Sequence, residues 1–246
     1  MIDYYVDLHV HTVLSPCGDI IMTPQNIIDT ALAREIDILA ITDHNSIGNL
    51  EVALELAKDY DLTIIPGMEV ESKEGVHLVS LFPNLKEAKS FQKLIYDNLP
   101  FINNDEDLFG PQLLTDQDDK FISRVKRLLL VSANLSVHQI VKEVLNRNGI
   151  IFPAHIDKKE YSILTNLGFI PAGIEFPIIE IYNKDSLDKL YNDFPLLKSY
   201  QVIKSSDAHF LHDLKPSLKL TLAEPSLSEM ILAFKNEGGR KVMILE

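Results

Sequence analysis

The chain has 246 residues, which suits one large domain or two small ones, and 46% of them are hydrophobic, as in ordinary globular proteins. Its net charge of −13 indicates a surface that repels phosphate backbones, so we expect no duplex DNA partner. A single cysteine, no visible signal peptide and no apolar run of membrane-spanning length predict a cytoplasmic protein without disulfides or membrane contact.

The first third of the chain alternates between short apolar strands and amphipathic helices. The strands are predicted at residues 4–10, 36–43, 62–70 and 75–82. The first helix is expected to begin after Thr23, which can cap it, with Pro24 as its first residue. Repeated β-α-β units of this kind predict a parallel sheet or barrel.

Residues 84–135 interrupt this pattern with a polar, acidic segment that we interpret as an insertion carrying helices around 86–97 and 119–129. The alternation then resumes with a helix capped by Ser136 and ended by Gly149. Further strands are predicted at residues 150–156, 178–183 and 200–209. The C-terminal residues are expected to form a helix, a Gly-Gly turn and a last strand.

Six of the eight histidines lie at or just beyond the predicted strands, and carboxylates accompany several of them. The histidines are His9, His11, His44, His77, His155 and His209, and the carboxylates are Asp7, Asp43, Glu69 and Asp207. The C-terminal strand ends of an α/β barrel share one face, where such residues can converge. Imidazole and carboxylate are ligands that suit zinc, manganese and iron.

The first strand shows how this set can hold a metal ion. His9 and His11 are two residues apart, so both side chains point to the same side of a regular strand. Asp7 shares that side and is a candidate partner for a ligand histidine. A lone His-x-His pair is more often structural, and His77 alone can equally be a hydrogen-bonded core histidine, so the prediction of a metal site depends on the joint pattern.

Five segments of the chain resemble motifs of one known family. In chain order they are DLHVHT, ITDHNSIGN, GMEVES with VHLVS, FPAHID and KSSDAH. The family is the PHP superfamily, named for polymerase and histidinol phosphatase, and the chain is most similar to its stand-alone, TrpH-like branch of metal-dependent phosphoesterases. The resemblance implies a distorted (β/α)7 barrel, here one domain over residues 1–246 with an insertion at about 84–135.

The same resemblance implies two or three divalent metal ions, zinc, manganese or iron, at the strand ends. The implied ligands are His9, His11, Glu69 and Asp207 for a first ion, Glu69, His77 and His155 for a second, and His44 with His209 for a third. The loop after His11 departs from the family pattern, because SPCGD stands where many relatives have S-D-G. Cys17 or Asp19 can complete the third site, and a buried turn cysteine is the alternative.

The expected reaction is hydrolysis of a small phosphomonoester, a nucleotide or a short RNA by a metal-activated water. Asp43 is expected to orient the site, and Asp207 or His209 to transfer a proton to the leaving group. Lys158 and Lys204 flank the motifs and are candidate phosphate-binding residues. Two alternatives remain at this stage: a non-catalytic, metal-binding regulatory PHP module and a metal-dependent amidohydrolase.

Overall fold

The computed structural model describes residues 1–174 and 176–245. The strands are β1 (Ile2–Val10), β2 (Ile38–Ile41), β3 (Thr63–Glu71), β4 (His77–Leu81), β5 (Leu113–Thr115), β6 (Phe121–Arg124), β7 (Ile150–Pro153), β8 (Ile178–Ile181), β9 (Gln201–Lys204), β10 (Leu218–Leu222) and β11 (Lys241–Ile244). The α-helices are α1 (Pro24–Ala33), α2 (Leu50–Leu56), α3 (Leu85–Asn98), α4 (Glu106–Phe109), α5 (Val137–Leu145), α6 (Ile163–Leu167), α7 (Leu187–Asp193) and α8 (Leu227–Phe234). Within the described residues, no helix is both long and apolar enough to span a membrane.

A seven-stranded sheet and a separate strand pair together form the barrel. The sheet has the strand order β11-β10-β1-β2-β3-β4-β7, and β8 pairs with β9 in parallel. A parallel bridge between Val10 and Ala208 joins β1 to the segment that follows β9. On the other side, the Ile156 N–H donates to the carbonyl of Glu180, 2.9 Å away, beside β7 and β8. The strands that encircle the interior are therefore the seven strands β1, β2, β3, β4, β7, β8 and β9. This confirms the α/β fold and the distorted barrel.

The barrel is not parallel throughout, in contrast to the expectation from the β-α-β pattern. Strand β4 runs antiparallel to both β3 and β7, and β10 runs antiparallel to β1. The connection between β3 and β4 is a tight turn in which Gly75 has a φ of +73°. Parallel strands need a crossover of a dozen or more residues, so this short connection makes β4 antiparallel.

The barrel interior is packed with apolar side chains below a polar rim. Its buried residues include Leu8, Ile65, Val79, Phe152, Ile178 and Ile203, and α8 contributes Met230 and Phe234. A second apolar cluster lies between the outer faces of the strands and the helices, including α1 and α5. Burial of these two clusters stabilises the fold and fixes the strand ends that carry the histidines.

Local signals at helix ends are largely as predicted. The Thr23 side chain caps α1, and Ser136 forms a capping box with Gln139 at the start of α5. The left-handed residue after α5 is Asn148, with a φ of +54°, rather than the predicted Gly149. Asparagine tolerates this conformation because its short polar side chain can hydrogen-bond locally.

The prediction of a helix at residues 119–129 is wrong, because this part of the insertion forms the hairpin β5–β6. The Asp116 carboxylate accepts hydrogen bonds from the backbone N–H groups of Asp118 and Lys120, each 2.9 Å long. Asp119 follows with a φ of +59°. Asp side chains bonded in this way stabilise turns in competition with helix. The predicted helix at 86–97 is present as α3.

Candidate metal centre

The backbone brings the six histidines to one rim of the barrel. His9 and His11 come from the end of β1, and His44 follows β2, where it forms a bridge with Glu69 of β3. His77 is the first residue of β4 rather than a residue at a C-terminal strand end. Because β4 is antiparallel, its first residue reaches the same rim as the C-terminal ends of its neighbours.

The carboxylate of Glu69 lies at the centre of the cluster. Its Oε1 lies 3.3 Å from His9 Nε2, 3.0 Å from His77 Nδ1 and 3.3 Å from His155 Nε2. Its Oε2 lies 2.9 Å from His44 Nδ1 and 3.5 Å from His11 Nε2. Glu69 is 1% exposed, so five imidazoles enclose a buried carboxylate.

Asp207 closes one side of the cluster. Its Oδ1 lies 3.5 Å from His9 Nε2 and 3.4 Å from His11 Nε2. Its Oδ2 accepts a hydrogen bond from the ammonium group of Lys158. The φ of +51° at Asp207 is unusual for a residue other than glycine. The turn at Asp207 thus directs the carboxylate toward both histidines of the first strand.

Three histidines have a hydrogen-bond partner at Nδ1, on the side of the ring away from the Glu69 carboxylate. His9 Nδ1 lies 3.0 Å from Glu180 Oε2, His11 Nδ1 lies 3.0 Å from Ser15 Oγ, and His209 Nδ1 lies 2.9 Å from the carbonyl of Asp207. If each Nδ1–H donates these hydrogen bonds, each Nε2 lone pair is free to bind a cation. This arrangement of imidazoles is the usual one around protein-bound metals.

The residues present fit divalent metal ions. His9 Nε2, His11 Nε2 and Glu69 Oε1 are buried and have no hydrogen-bond partner among residues 1–174 and 176–245. Buried polar atoms without partners are costly, and a cation would satisfy these three. Three sets of ligand atoms lie within 4.8 Å of one another: His9 with His11 and Glu69, His44 with Glu69 and His77, and His11 with His44 and His209.

The charges of the cluster favour an ionised carboxylate at its centre. Burial disfavours ionisation of Glu69, but His77, His9 and His44 outweigh burial and hold its pKa well below the usual value. Burial and the imidazoles of His209 and His44 lower the pKa of His11 well below its usual value. An ionised glutamate beside a neutral histidine is the combination that ligates zinc-like ions.

A cavity of about 320 Å³ opens onto these residues. Its lining includes Cys17, His44, Glu69, His77, Leu130, His155, Lys158, Glu160, Tyr161, Asp207 and His209. The Tyr161 ring stacks on His77 with 4.2 Å between the ring centroids. Leu130 belongs to the 84–135 segment, which therefore borders the cavity. This volume is at the lower end of the range for small-molecule sites.

Cys17 lies at the edge of this cavity, whereas Asp19 does not contribute to its lining. Burial raises the pKa of the Cys17 thiol, but the imidazoles of His44 and His209 outweigh that effect and lower it to about 6. The Asp19 carboxylate instead accepts a hydrogen bond from the Ile21 N–H. Of the two residues considered for a third site, the structure brings only Cys17 to the other ligands.

Asp43 and Lys204 lie outside the cavity, although both belong to the sequence motifs. The Asp43 carboxylate is buried and accepts hydrogen bonds of 2.7 Å from the Thr12 N–H, the Thr12 hydroxyl and the Ser15 hydroxyl. Since Ser15 also contacts His11, Asp43 positions the Ser15 hydroxyl against the His11 imidazole. Lys204 lines two other cavities. Neither side chain is placed to contact a group bound at the cluster.

Asp7, expected to be the partner of a ligand histidine, does not face the cluster. A register shift between Asp7 and Val10 breaks the regular alternation of β1. The Asp7 carboxylate accepts a hydrogen bond of 3.0 Å from the Ser206 N–H. Glu180 of β8 is the partner of His9 instead. Sequence reasoning missed Glu180, and the available signal was a single acidic residue inside the apolar run IIEI.

Glu180→Gln should weaken metal binding about 10- to 100-fold, the range typical of residues that support a metal ligand. Glutamine keeps an oxygen that can accept from His9 Nδ1 but lacks the negative charge that makes the imidazole a stronger ligand. Competition with a chromophoric chelator would measure the affinity. Glu224→Gln, the same substitution at an exposed glutamate, is the control. An affinity equal to wild type in Glu180→Gln would contradict the assignment.

On acidification, metal binding should begin to weaken at a pH above about 6.5, the pKa of free imidazole. Burial lowers the pKa values of His9, His44 and His77, but the carboxylates of Glu180 and Glu69 outweigh it and raise them. Protons must leave these nitrogens before metal binds, so affinity falls as the pH drops through the raised values. Metal retention during dialysis across a pH series tests this, and full retention at about pH 4.5 would contradict it.

The sequence profile of the PHP domain matches residues 7–152, more than half of the chain. An uncharacterized protein of Methanocaldococcus jannaschii is 34% identical over 86 residues, which are 32% of this chain and 50% of that protein. A 3′,5′-nucleoside bisphosphate phosphatase of Chromobacterium violaceum is 37% identical over 76 residues, which are 31% of this chain and 26% of that protein. The matched segments therefore span half or less of these curated relatives.

Among solved structures, the lesion-specific endonuclease Q of Pyrococcus furiosus superposes with a TM-score of 0.73 at 20% identity. The alignment covers 98% of this chain and 58% of that protein. A structure of endonuclease Q with a 27-mer duplex that carries an abasic lesion at the active site superposes with a TM-score of 0.72 at 19% identity, over 98% of this chain and 59% of that chain. At this identity the likeness shows the fold.

The expectation that net charge excludes a duplex DNA partner is therefore wrong. A protein with this fold holds a DNA duplex at its active site. The expectation rested on the net charge of the whole chain, and net charge does not determine the local potential at a site. Metal ions and local groups of lysines can make part of an acidic protein attractive to phosphate.

Proposed function

Because the chain belongs to the PHP domain family, we propose that it is a metal-dependent phosphoesterase with its active site at the histidine-lined rim of the barrel. The observation that carries the proposal is the buried Glu69 carboxylate, with five imidazole nitrogens between 2.9 and 3.5 Å from its two oxygens. A purely structural role would leave four buried polar atoms of this cluster without partners in the described residues: His9 Nε2, His11 Nε2, Glu69 Oε1 and His155 Nδ1.

The proposed ligands form overlapping groups around Glu69. A first ion would be held by His9, His11, Glu69 and Asp207, a second by Glu69, His77 and His155, and a third by His44, His209 and Cys17. The proximity of His11 to His44 and His209 supports a further contribution of His11 to the third site. The thiol of Cys17 would favour zinc there, because thiolate is a soft ligand.

The metal ions, when bound, supply a nucleophilic water at neutral pH and neutralise phosphate charge. The protein residues position these groups. Glu180 and Ser15 orient His9 and His11, and Asp43 holds Ser15. Asp43 is thus proposed as a positioning residue, in keeping with the orienting role expected from its place beside His44.

Lys158 and His209 are proposed to contact the substrate. Burial lowers the pKa of Lys158, but Asp207 outweighs burial and raises it, so this lysine is charged at neutral pH and can bind a phosphate oxygen. His209 is the most exposed imidazole of the cluster, at 22% of its side chain. Burial opposes its charged form, but Cys17 and Asp207 raise its pKa, so His209 can donate a proton to the leaving oxygen when its Nε2 is not bound to the third ion. Asp207 stays ionised and anchors Lys158.

The proposed substrates are a small phosphomonoester, a nucleotide or a short nucleic acid. The name of the Chromobacterium violaceum relative supports a nucleotide, and that of endonuclease Q supports a nucleic acid. The cavity volume of about 320 Å³ supports a ligand of nucleotide size, with the Tyr161 ring beside it. Lys204 lies outside this cavity.

A phosphatase panel tests the proposal. It would contain p-nitrophenyl phosphate, nucleoside mono- and bisphosphates, short RNA and a duplex with an abasic site, each with Mn²⁺, Zn²⁺ and Fe²⁺ added separately. Hydrolysis of at least one phosphoester, lost on chelation, is the expected result. A simple amide is assayed alongside the panel, and hydrolysis of the amide without hydrolysis of any phosphoester would favour an amidohydrolase. Inactivity on every substrate, with the metal complement intact, would favour a regulatory module and overturn the proposal.

A further inference from the structure

A second polar cavity, of about 320 Å³, lies at the ends of β8 and β9, next to the metal centre. We call it the lysine cavity, and its lining includes Tyr182, Asn183, Lys204, Ser205, His212 and Lys215. It shares Asn183 and Lys204 with a neighbouring groove whose lining also includes Lys184, Asp185 and Asp188. No role for this cavity follows from the metal centre.

The lysines of this region have no carboxylate partner. Within residues 1–174 and 176–245, neither Lys204 nor Lys215 nor Lys184 has a carboxylate oxygen within 4.0 Å. In a chain with 36 acidic and 23 basic residues, Lys184, Lys204 and Lys215 are neighbouring ammonium groups that no carboxylate contacts in the described residues. Burial and the charges of Lys215 and Lys184 lower the pKa of Lys204, which indicates mutual repulsion that a bound anion would relieve.

A buried hydroxyl adds a neutral hydrogen-bond donor to the same cavity. Ser205 is 2% exposed, and its Oγ has no hydrogen-bond partner in the described part of the chain. Buried hydroxyls normally have partners, and this one lines a cavity beside Lys204. Asp213 is the acidic residue in the lining, and its carboxylate lies 3.6 Å from His212.

The lysine cavity and the metal cavity share a wall. The Lys158 ammonium, which lines the metal cavity, lies 4.2 Å from the centroid of the Tyr182 ring, which lines the lysine cavity. Ser205 is two residues from Asp207, so one chain segment contributes to both. This shared wall would allow a molecule with two phosphate groups to contact both cavities at once.

We propose that the lysine cavity binds a phosphate group, with Lys204, Lys215 and the Ser205 hydroxyl as its donors. Lysine ammonium groups are common phosphate ligands, and a serine hydroxyl completes such sites as a neutral donor. The phosphate can belong to a substrate whose other phosphate is at the metal centre, an arrangement that rests on the proposed function. It can also belong to a separate anion.

Titration with inorganic phosphate, followed by the amide NMR shifts of zinc-loaded protein, tests the site directly. Shifts are expected at residues 203–206 and 212–215, and they should persist after chelation, because this cavity needs no metal. Lys204→Ala should raise the Kd about 10-fold, as expected for losing a hydrogen bond between charged groups. Lys235→Ala removes an exposed lysine elsewhere and should leave the Kd unchanged. No shift in the wild type, or an unchanged Kd in a folded Lys204→Ala, would overturn the proposal.

Kinetics with the loaded enzyme distinguish the two sources of phosphate. If the substrate supplies it, Lys204→Ala should lower kcat/KM about 10-fold for a nucleoside 3′,5′-bisphosphate and little for the 3′-monophosphate. Equal effects on both substrates, with phosphate binding intact in the wild type, would assign the cavity to a separate anion. Absence of all hydrolysis would count against the proposed function alone, because the NMR titration does not depend on turnover.

Discussion

Glu69→Gln should lower turnover of a phosphoester at least about 100-fold, the upper end of the loss from removing even a supporting partner of a metal ligand. Glutamine keeps the size and one oxygen of glutamate but replaces the other oxygen with an amide nitrogen, which cannot accept a cation. Both oxygens of Glu69 lie close to imidazoles, so the substitution affects ions on both sides of the carboxylate. Metal content should fall together with kcat.

His138→Gln is the control for this experiment. His138 is exposed on α5, where its Nε2 lies 3.3 Å from the carbonyl of Ala172, away from the cluster. It should retain wild-type turnover and metal content. Circular dichroism of both variants separates loss of the site from loss of the fold. Near wild-type activity with a full metal complement in Glu69→Gln would show that Glu69 is not a bridging ligand.

Removal of the metal ions should abolish hydrolysis and lower the thermal stability of the protein. An ion present at about 1,000 times its Kd stabilises the folded state by about 4 kcal/mol. For a domain of this size, such a change corresponds to a fall in Tm of about 8–16 °C. Chelation followed by thermal melting and an activity assay would measure both effects, and added metal should restore them.

The same chelation on Glu69→Gln provides an internal control. This variant is expected to have lost its ions already, so chelation should change its Tm little. A wild-type protein that keeps its activity and its Tm after verified metal removal would exclude a metal-dependent site. A fall in Tm of equal size in both proteins would show that the stabilising ion lies elsewhere.

The sequence was informative where residue type alone determines the chemistry. Histidines and carboxylates at strand ends predicted the cluster, because the barrel brings those ends together whatever the loops do. The direction of individual side chains was harder to predict. Asp43 and Lys204 belong to the sequence motifs but project away from the cavity, because successive residues of extended chain face opposite sides.

Two features of the site could not be predicted from the chain alone. Glu180 is surrounded by isoleucines in the sequence, and its importance depends on β8 lying beside β7 and across from β1. The position of His77 depends on the antiparallel direction of β4, which the apolar pattern does not specify. Both depend on tertiary contacts between segments that are distant in sequence or joined by a tight turn.

The seam between β9 and β1 has a consequence for how the chain folds. It is joined by the bridge at Val10 and Ala208 and by the hydrogen bond from Ser206 to Asp7, and His9 and Asp207 face each other beside it, almost two hundred residues apart in the sequence. Bringing such distant segments together costs loop-closure entropy. An ion bound by both residues would act as a removable cross-link between the two ends of the barrel. Loading of the site and final closure of the barrel would then be one thermodynamically coupled event.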